Sequence, residues 1–114
     1  MPAQALSALA RLKKAANLVP TKKTVVLSDG SEFDFWHTAL TMAERERATK
    51  AANSQDPNEF AVQLLVQKAL NENGAKMFAF GDVAELKNEV RDSDLQKIIL
   101  ALIEDDIIDV NQGN

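Results

Sequence analysis

Between Lys22 and His37 the apolar period is two, while almost everywhere else in the chain it is close to 3.6, and this switch restricts the fold more than any other feature. Thr24-Val25-Val26-Leu27 is β-branched and apolar, Ser28-Asp29-Gly30-Ser31 has turn chemistry, and Glu32-Phe33-Asp34-Phe35 alternates strictly. The segment reads as a β-hairpin over 22–37. A two-residue Asp29-Gly30 loop would put Val26 opposite Phe33 and leave Val25 and Leu27 on the face of Glu32 and Asp34. A three-residue Ser28-Asp29-Gly30 loop, with Gly30 left-handed, puts Val25 opposite Phe33 and gathers Leu27 and Phe35 on the same face. The second register separates apolar from acidic residues and is preferred.

Helices surround this hairpin in the sequence. Ala5, Leu9, Leu12 and Ala16, with Leu6 beside them, recur at helical spacing in a basic segment (1–20), as a helix from Ala3 to Leu18 that ends before Pro20. Its apolar stripe is thin, and a lone helix of that length is marginal in water, so it is expected to dock on the rest of the chain or on another copy. Thr41 and Glu44 have capping-box spacing and open a helix over 42–53, whose apolar content is mainly Ala48, Ala51 and Ala52. Asp56 and Pro57 are an N-cap and first-turn pair for a helix over 57–71, apolar around more than half its circumference and hence central to the core. Gly74 is expected to end it with a left-handed residue.

Met77, Phe78 and Phe80 read as a lid over that core. Asp82 is placed to cap a short helix over 83–90, with Val83, Leu86 and Val90 on one face. After a bend at 91–93, Leu95, Ile98, Ile99, Leu102 and Ile103 match the helical template without a miss, giving a last helix over 93–104. The acids Glu104, Asp105 and Asp106 oppose the dipole of a helix ending there, so fraying or a basic partner is expected. Ile107, Ile108 and Val110 follow, then a polar tail, 111–114. The expected class is α+β, mostly α: one N-terminal hairpin packed on a bundle of four to five helices, with 21–110 as one unit of the size a single core supports.

Composition narrows the chemistry. The chain has 114 residues, no Cys, one His, one Trp and no Tyr. Disulfides, Cys-ligated metals and thiol nucleophiles are thereby excluded. His37 stands without the partners of a catalytic triad. The acids after Ile103 lack the Gly and Glu positions of a calcium loop. The glycines are isolated, so no phosphate-cradling loop is expected. No catalytic, cofactor or metal residue is assigned. Residues 1–23 carry five cations and no acid within a chain of net charge −4, so the remainder is acidic and would repel nucleic acid. No apolar run approaches the ~20 residues of a membrane helix, and the start lacks the apolar stretch of a secretory signal, so a cytoplasmic protein with no membrane partner is expected.

What remains is binding surface for proteins. Ile98, Ile99, Leu102, Ile103, Ile107 and Ile108 hold more aliphatic mass than a terminal element needs, and are the leading contact candidates, with Trp36 a weaker one. The competing use of Leu95 to Leu102 is to close the core.

The order of motifs resembles the tail assembly chaperones of long-tailed (siphovirus-type) bacteriophages. The stretch TVVLSDGSEFDFWHTALTMAERE is similar to that family's opening hairpin, its Asp-Gly turn and its Leu-Thr step into a helix with early Glu. FAVQLLVQKALNENGAKMFAFGDVAELKNEV is similar to the following helix, the Asn-Glu-Asn-Gly turn with a Phe after it, and the short helix begun by Asp. Together these run from about Thr24 to Ile103, and the basic first helix lies outside the pattern. The resemblance implies a protein of the host cytoplasm, absent from the mature virion, that binds the tape measure protein, keeps it soluble and helps recruit tail tube protein. It also implies a possible frameshifted longer form. A homo-oligomer is expected as well. The rivals are a structural minor tail or head–tail connector protein of the virion, and a small regulatory or inhibitor protein that binds a host protein.

Overall fold

The computed structural model describes the backbone of residues 7–53 and 55–112, with side chains as far as Glu104. The chain runs α1 (Ala8–Ala16), β1 (Thr21–Val26), β2 (Glu32–His37), α2 (Met42–Ala52), α3 (Pro57–Lys68), α4 (Val83–Glu89) and α5 (Asp92–Gln112). It is an α+β fold, mostly α, as expected.

Helix α1 begins later than the sequence suggests. Ser7 is its N-cap, its hydroxyl accepting from Ala10 N at 3.0 Å, and Asn17 ends it in the left-handed region. Residues 1–6 of the expected helix lie outside the described residues. No residue of α1 is buried, and Leu9 and Leu12 are about two-thirds exposed, so among the described residues α1 adds nothing to the core.

The hairpin adopts the three-residue loop. Val25 pairs with Phe33, Leu27 N donates to Ser31 O at 2.8 Å, and Gly30 takes φ +89°. Val25, Leu27, Phe33 and Phe35 all reach the core. Thr24 and Asp34 pair on the opposite face, hydroxyl to carboxylate at 2.7 Å. The loop is tied to α5: the Asp94 carboxylate accepts from Ser28 N at 2.9 Å and from Ser28 Oγ at 2.8 Å. Asp29 Oδ1 accepts from Ser31 Oγ and N, and these bonds hold the Asp29 carboxyl below its ordinary range. Because Asp94 is buried, Asp94→Ala strands the Ser28 N–H and hydroxyl and is expected to cost about 2 kcal/mol. Ser28→Ala keeps the backbone bond and should cost about half as much; urea melts of the two variants check the ordering.

Helix α2 carries the full capping box, with Thr41 Oγ1 accepting from Glu44 N and Glu44 Oε1 from Thr41 N. Asp56 caps α3, which has Pro57 in its first turn. Helix α3 ends at Lys68 rather than Asn71, because Leu70 forms a closed hydrogen-bonded pair with Trp36, N to O at 2.9 and 2.8 Å. That exchange satisfies the outer edge of β2 and pulls the chain out of the helix. Gly74, at φ +84°, serves a tight turn instead of a helix cap, its N–H donating to Asn71 O at 3.0 Å.

Met77 and Phe78 pack against the core as a lid should, but Phe80 is 70% exposed. Asp82 does not cap α4. It lies in a 3-10 turn, Phe80–Asp82, and its carboxylate reaches back to accept from Ala79 N at 2.8 Å. Helix α5 runs past Glu104 to Gln112. No Gly or Pro interrupts 92–112, and the acids lie about two turns before the helix end, where the terminal dipole acts weakly. The core gathers Phe35 from the hairpin, Val62, Leu64 and Leu65 from α3, Leu86 from α4, and Leu95, Ile98, Ile99 and Leu102 from α5.

Candidate protein-binding surface

The structure divides the expected contact residues. Ile98, Ile99 and Leu102 are buried in the core, which corrects their reading as contact surface: they face α3 and the apolar side of the hairpin, partners from distant parts of the chain. Ile103 is half-buried at the core's edge. The side chains of Ile107 and Ile108 lie outside the described residues. Trp36 is half-buried, with Lys22 Nζ 5.6 Å from its ring centroid. Among the described side chains of α5 the large exposed aliphatic one is Leu100, which shares a shallow recess with Val26 of β1.

A deeper feature lies between α2, α3 and the segment after the 71–74 turn. It is a groove of about 650 Å³, within the range of ordinary binding clefts. Ala48 and Ala51 of α2 face Val66 of α3 and Phe78 across it, and Phe80 stands at its lip. The depth has a local cause: alanines where α2 meets α3 leave room that larger side chains would fill. Arg47, Lys50 and Lys76 ring the groove. Glu44 is the acid lining it, and that carboxylate is already engaged.

The engagement is a buried ion pair that sequence reasoning missed. Lys68 is 4% exposed. Its ammonium donates to Thr38 Oγ1 at 2.8 Å, Ala39 O at 3.1 Å and Glu44 Oε1 at 2.8 Å, a full set of acceptors for its three protons. Gln67 Nε2 donates to Glu44 O at 2.7 Å, and Arg47 Nε to Gln67 Oε1 at 3.3 Å. Burial pushes the Glu44 carboxyl up, but hydrogen bonds from Lys68 and Thr41 N and the Lys68 charge outweigh it and hold it below its ordinary value. The network fixes α2 against α3 and so sets the wall of the groove. The visible signal was the Thr41–Glu44 spacing; nothing local marked Lys68 as its partner.

No family model matches the sequence, and no curated protein matches it. Among solved structures, the bacteriophage HK97 tail assembly chaperone is similar to this chain. The identity is 15%, the match covers 81% of this chain and 94% of that one, and the TM-score is 0.47.

Among the described residues no group of three or more His, Asp or Glu is placed to hold a metal ion. His37 is buried, its Nδ1 3.0 Å from Thr38 O, and its Nε2 makes no hydrogen bond with any described residue. With its ring centroid 6.1 Å from that of Phe35, it is packed as a core side chain. No helix among the described residues is long and apolar enough to cross a membrane.

Proposed function

We propose that this protein is a phage tail assembly chaperone that binds the tape measure protein, keeps it soluble and helps bring tail tube subunits to it, acting in the host cytoplasm. The order of hairpin, turn and helix motifs from Thr24 to Ile103 supports the reading. The observation that carries it is Phe80, left 70% exposed beside an apolar groove although the core closes around Phe35 and Leu65 without it. A large aromatic ring kept in water is a standing cost unless a partner covers it, and aromatic side chains at a pocket rim dominate binding energy in protein interfaces. A client whose apolar segments must stay dispersed would use such a surface, and the acidic remainder of the chain keeps the complex in solution.

Co-expression with the tape measure protein of the same phage tests the proposal. The wild-type chain is expected to move the tape measure protein into the soluble fraction and to co-purify with it. Phe80→Asp should fold normally, because the ring is exposed, and should weaken the complex by about thirtyfold, the equivalent of a 2 kcal/mol anchor. Equal tape measure solubility with and without this chain would sink the proposal.

A further inference from the structure

We propose that α1 lies along an anionic lipid surface, its apolar face at the acyl boundary and its cations among the headgroups. Ser7 caps the helix and left-handed Asn17 ends it, so it is formed although no residue in it is buried. At 3.6 residues per turn, Ala8, Leu9, Leu12, Ala15 and Ala16 share one face about 120° wide. Arg11 and Lys13 flank that face on either side, each about 100° from its centre, and Lys14 stands behind. All five face residues are exposed, and so are Leu18 and Val19 just past the helix.

The charge is as segregated as the apolar surface. Residues 1–23 hold five cations and no acid in a chain of net charge −4. Lys22 and Lys23 are already paired with Asp34 and Glu104, at 3.7 and 3.0 Å. Arg11, Lys13 and Lys14 make no ion pair with a described residue, so their charge is open to a partner. Leucines in the middle of one face with cations along both its edges are the arrangement of an interfacial amphipathic helix. The Arg11 and Lys13 stems are long enough to keep their charges at headgroup level while the leucines sink. The acidic remainder of the chain is repelled by the same surface, which leaves α1 as the end that touches it.

Other partners use only part of this pattern. Duplex nucleic acid would engage the cations and leave Leu9 and Leu12 in water. A protein groove selects a helix by large anchors at i, i+3, i+4 and i+7, and the face of α1 has two such side chains, Leu9 and Leu12. A bilayer asks for no shape match, and a helix lying flat on it needs no membrane-crossing length. Lipid contact through α1 does not depend on the tape measure reading, and its test contains no client, so either can fail while the other stands.

Co-sedimentation of the full-length chain with vesicles is the test, with phosphatidylglycerol and phosphatidylcholine in equal parts set against phosphatidylcholine alone. The wild type is expected to bind the anionic vesicles, to release them as salt rises, and to stay in solution with the neutral ones. Arg11→Gln/Lys13→Gln keeps the apolar face and should weaken partitioning by about thirtyfold, roughly fivefold for each surface cation. Leu9→Gln/Leu12→Gln keeps every charge and should weaken it by about tenfold or more. None of the four residues is buried, so thermal melts of both variants should match the wild type. The chain has no Cys, so a dye that brightens in apolar surroundings can be placed uniquely, through Ala16→Cys on the face or Ala10→Cys on the back. The first should brighten on anionic vesicles and the second should not. No binding to anionic vesicles overturns the proposal, as does equal binding to neutral ones or a dye at position 16 that stays dim. Binding that Leu9→Gln/Leu12→Gln leaves intact overturns it too, and points to a polyanion held by charge alone.

Discussion

Replacing Glu44 with alanine is expected to lower the unfolding free energy by about 3 kcal/mol, because it leaves the buried Lys68 ammonium without its counter-charge. Lys68 is almost wholly enclosed while Glu44 keeps part of its side chain in water, so the figure sits at the lower end for broken buried pairs. The substitution also removes half of the capping box of α2. Lys68→Met keeps the packed stem and deletes the charge, and should cost less. The double variant, Glu44→Ala/Lys68→Met, should cost well below the sum of the costs of the two singles, since each removes the penalty created by the other. Chemical denaturation of the four proteins measures the coupling, and strict additivity would show that the pair is not energetically joined.

The same pair gives stability a defined pH dependence. The folded-state carboxyl of Glu44 lies below its ordinary value of 4.5, so the folded state holds the proton less tightly than the unfolded chain does. Its contribution is therefore complete above that ordinary value and is lost as pH falls through the folded value. Glu44→Gln, which has no proton to take up, should show a shallower loss of stability below about pH 4.5. Acid melts of the two proteins under the same salt conditions make the comparison.

Local chemistry and side-chain alternation made a good part of the fold legible in the sequence. The hairpin register followed from asking which pairing keeps Glu32 and Asp34 away from Val25, Leu27 and Phe35, and the Val25–Phe33 pair agrees. The Thr41 and Asp56 caps were legible for the same reason, since a capping side chain meets backbone only two or three residues away. The misses at Leu70 and Lys68 depend on partners far along the chain. Leu70 leaves the helix for the backbone of Trp36, and Lys68 is buried because Glu44, Thr38 and Ala39 converge on it. The mixed fate of the α5 aliphatics has that origin too: Ile98, Ile99 and Leu102 are core while Leu100 is exposed, and no count of apolar residues says which side of a helix the hairpin will cover. The groove was illegible because two alanines read as a narrow helix face; their meaning as a hollow appears only once α3 and Phe80 stand beside them.

Phe35→Ala should cost about 4 kcal/mol, and Trp36→Ala, one position along, about 2 kcal/mol, the smaller loss expected for a ring that is only partly buried. Phe35 is fully buried, with the rings of Phe33 and His37 each 6.1 Å away between centroids, so truncation opens a cavity where hairpin and helices meet. Trp36 points to the other face of the strand, and its structural service is largely performed by the backbone that pairs with Leu70, which alanine retains. The larger aromatic is thus the cheaper one to remove, an ordering that side-chain size alone would reverse. Urea titrations of the two variants decide it. If Trp36→Ala proved the costlier, the hairpin would have to turn its other face to the helices, bringing Glu32 and Asp34 into the core with no cation there to meet both.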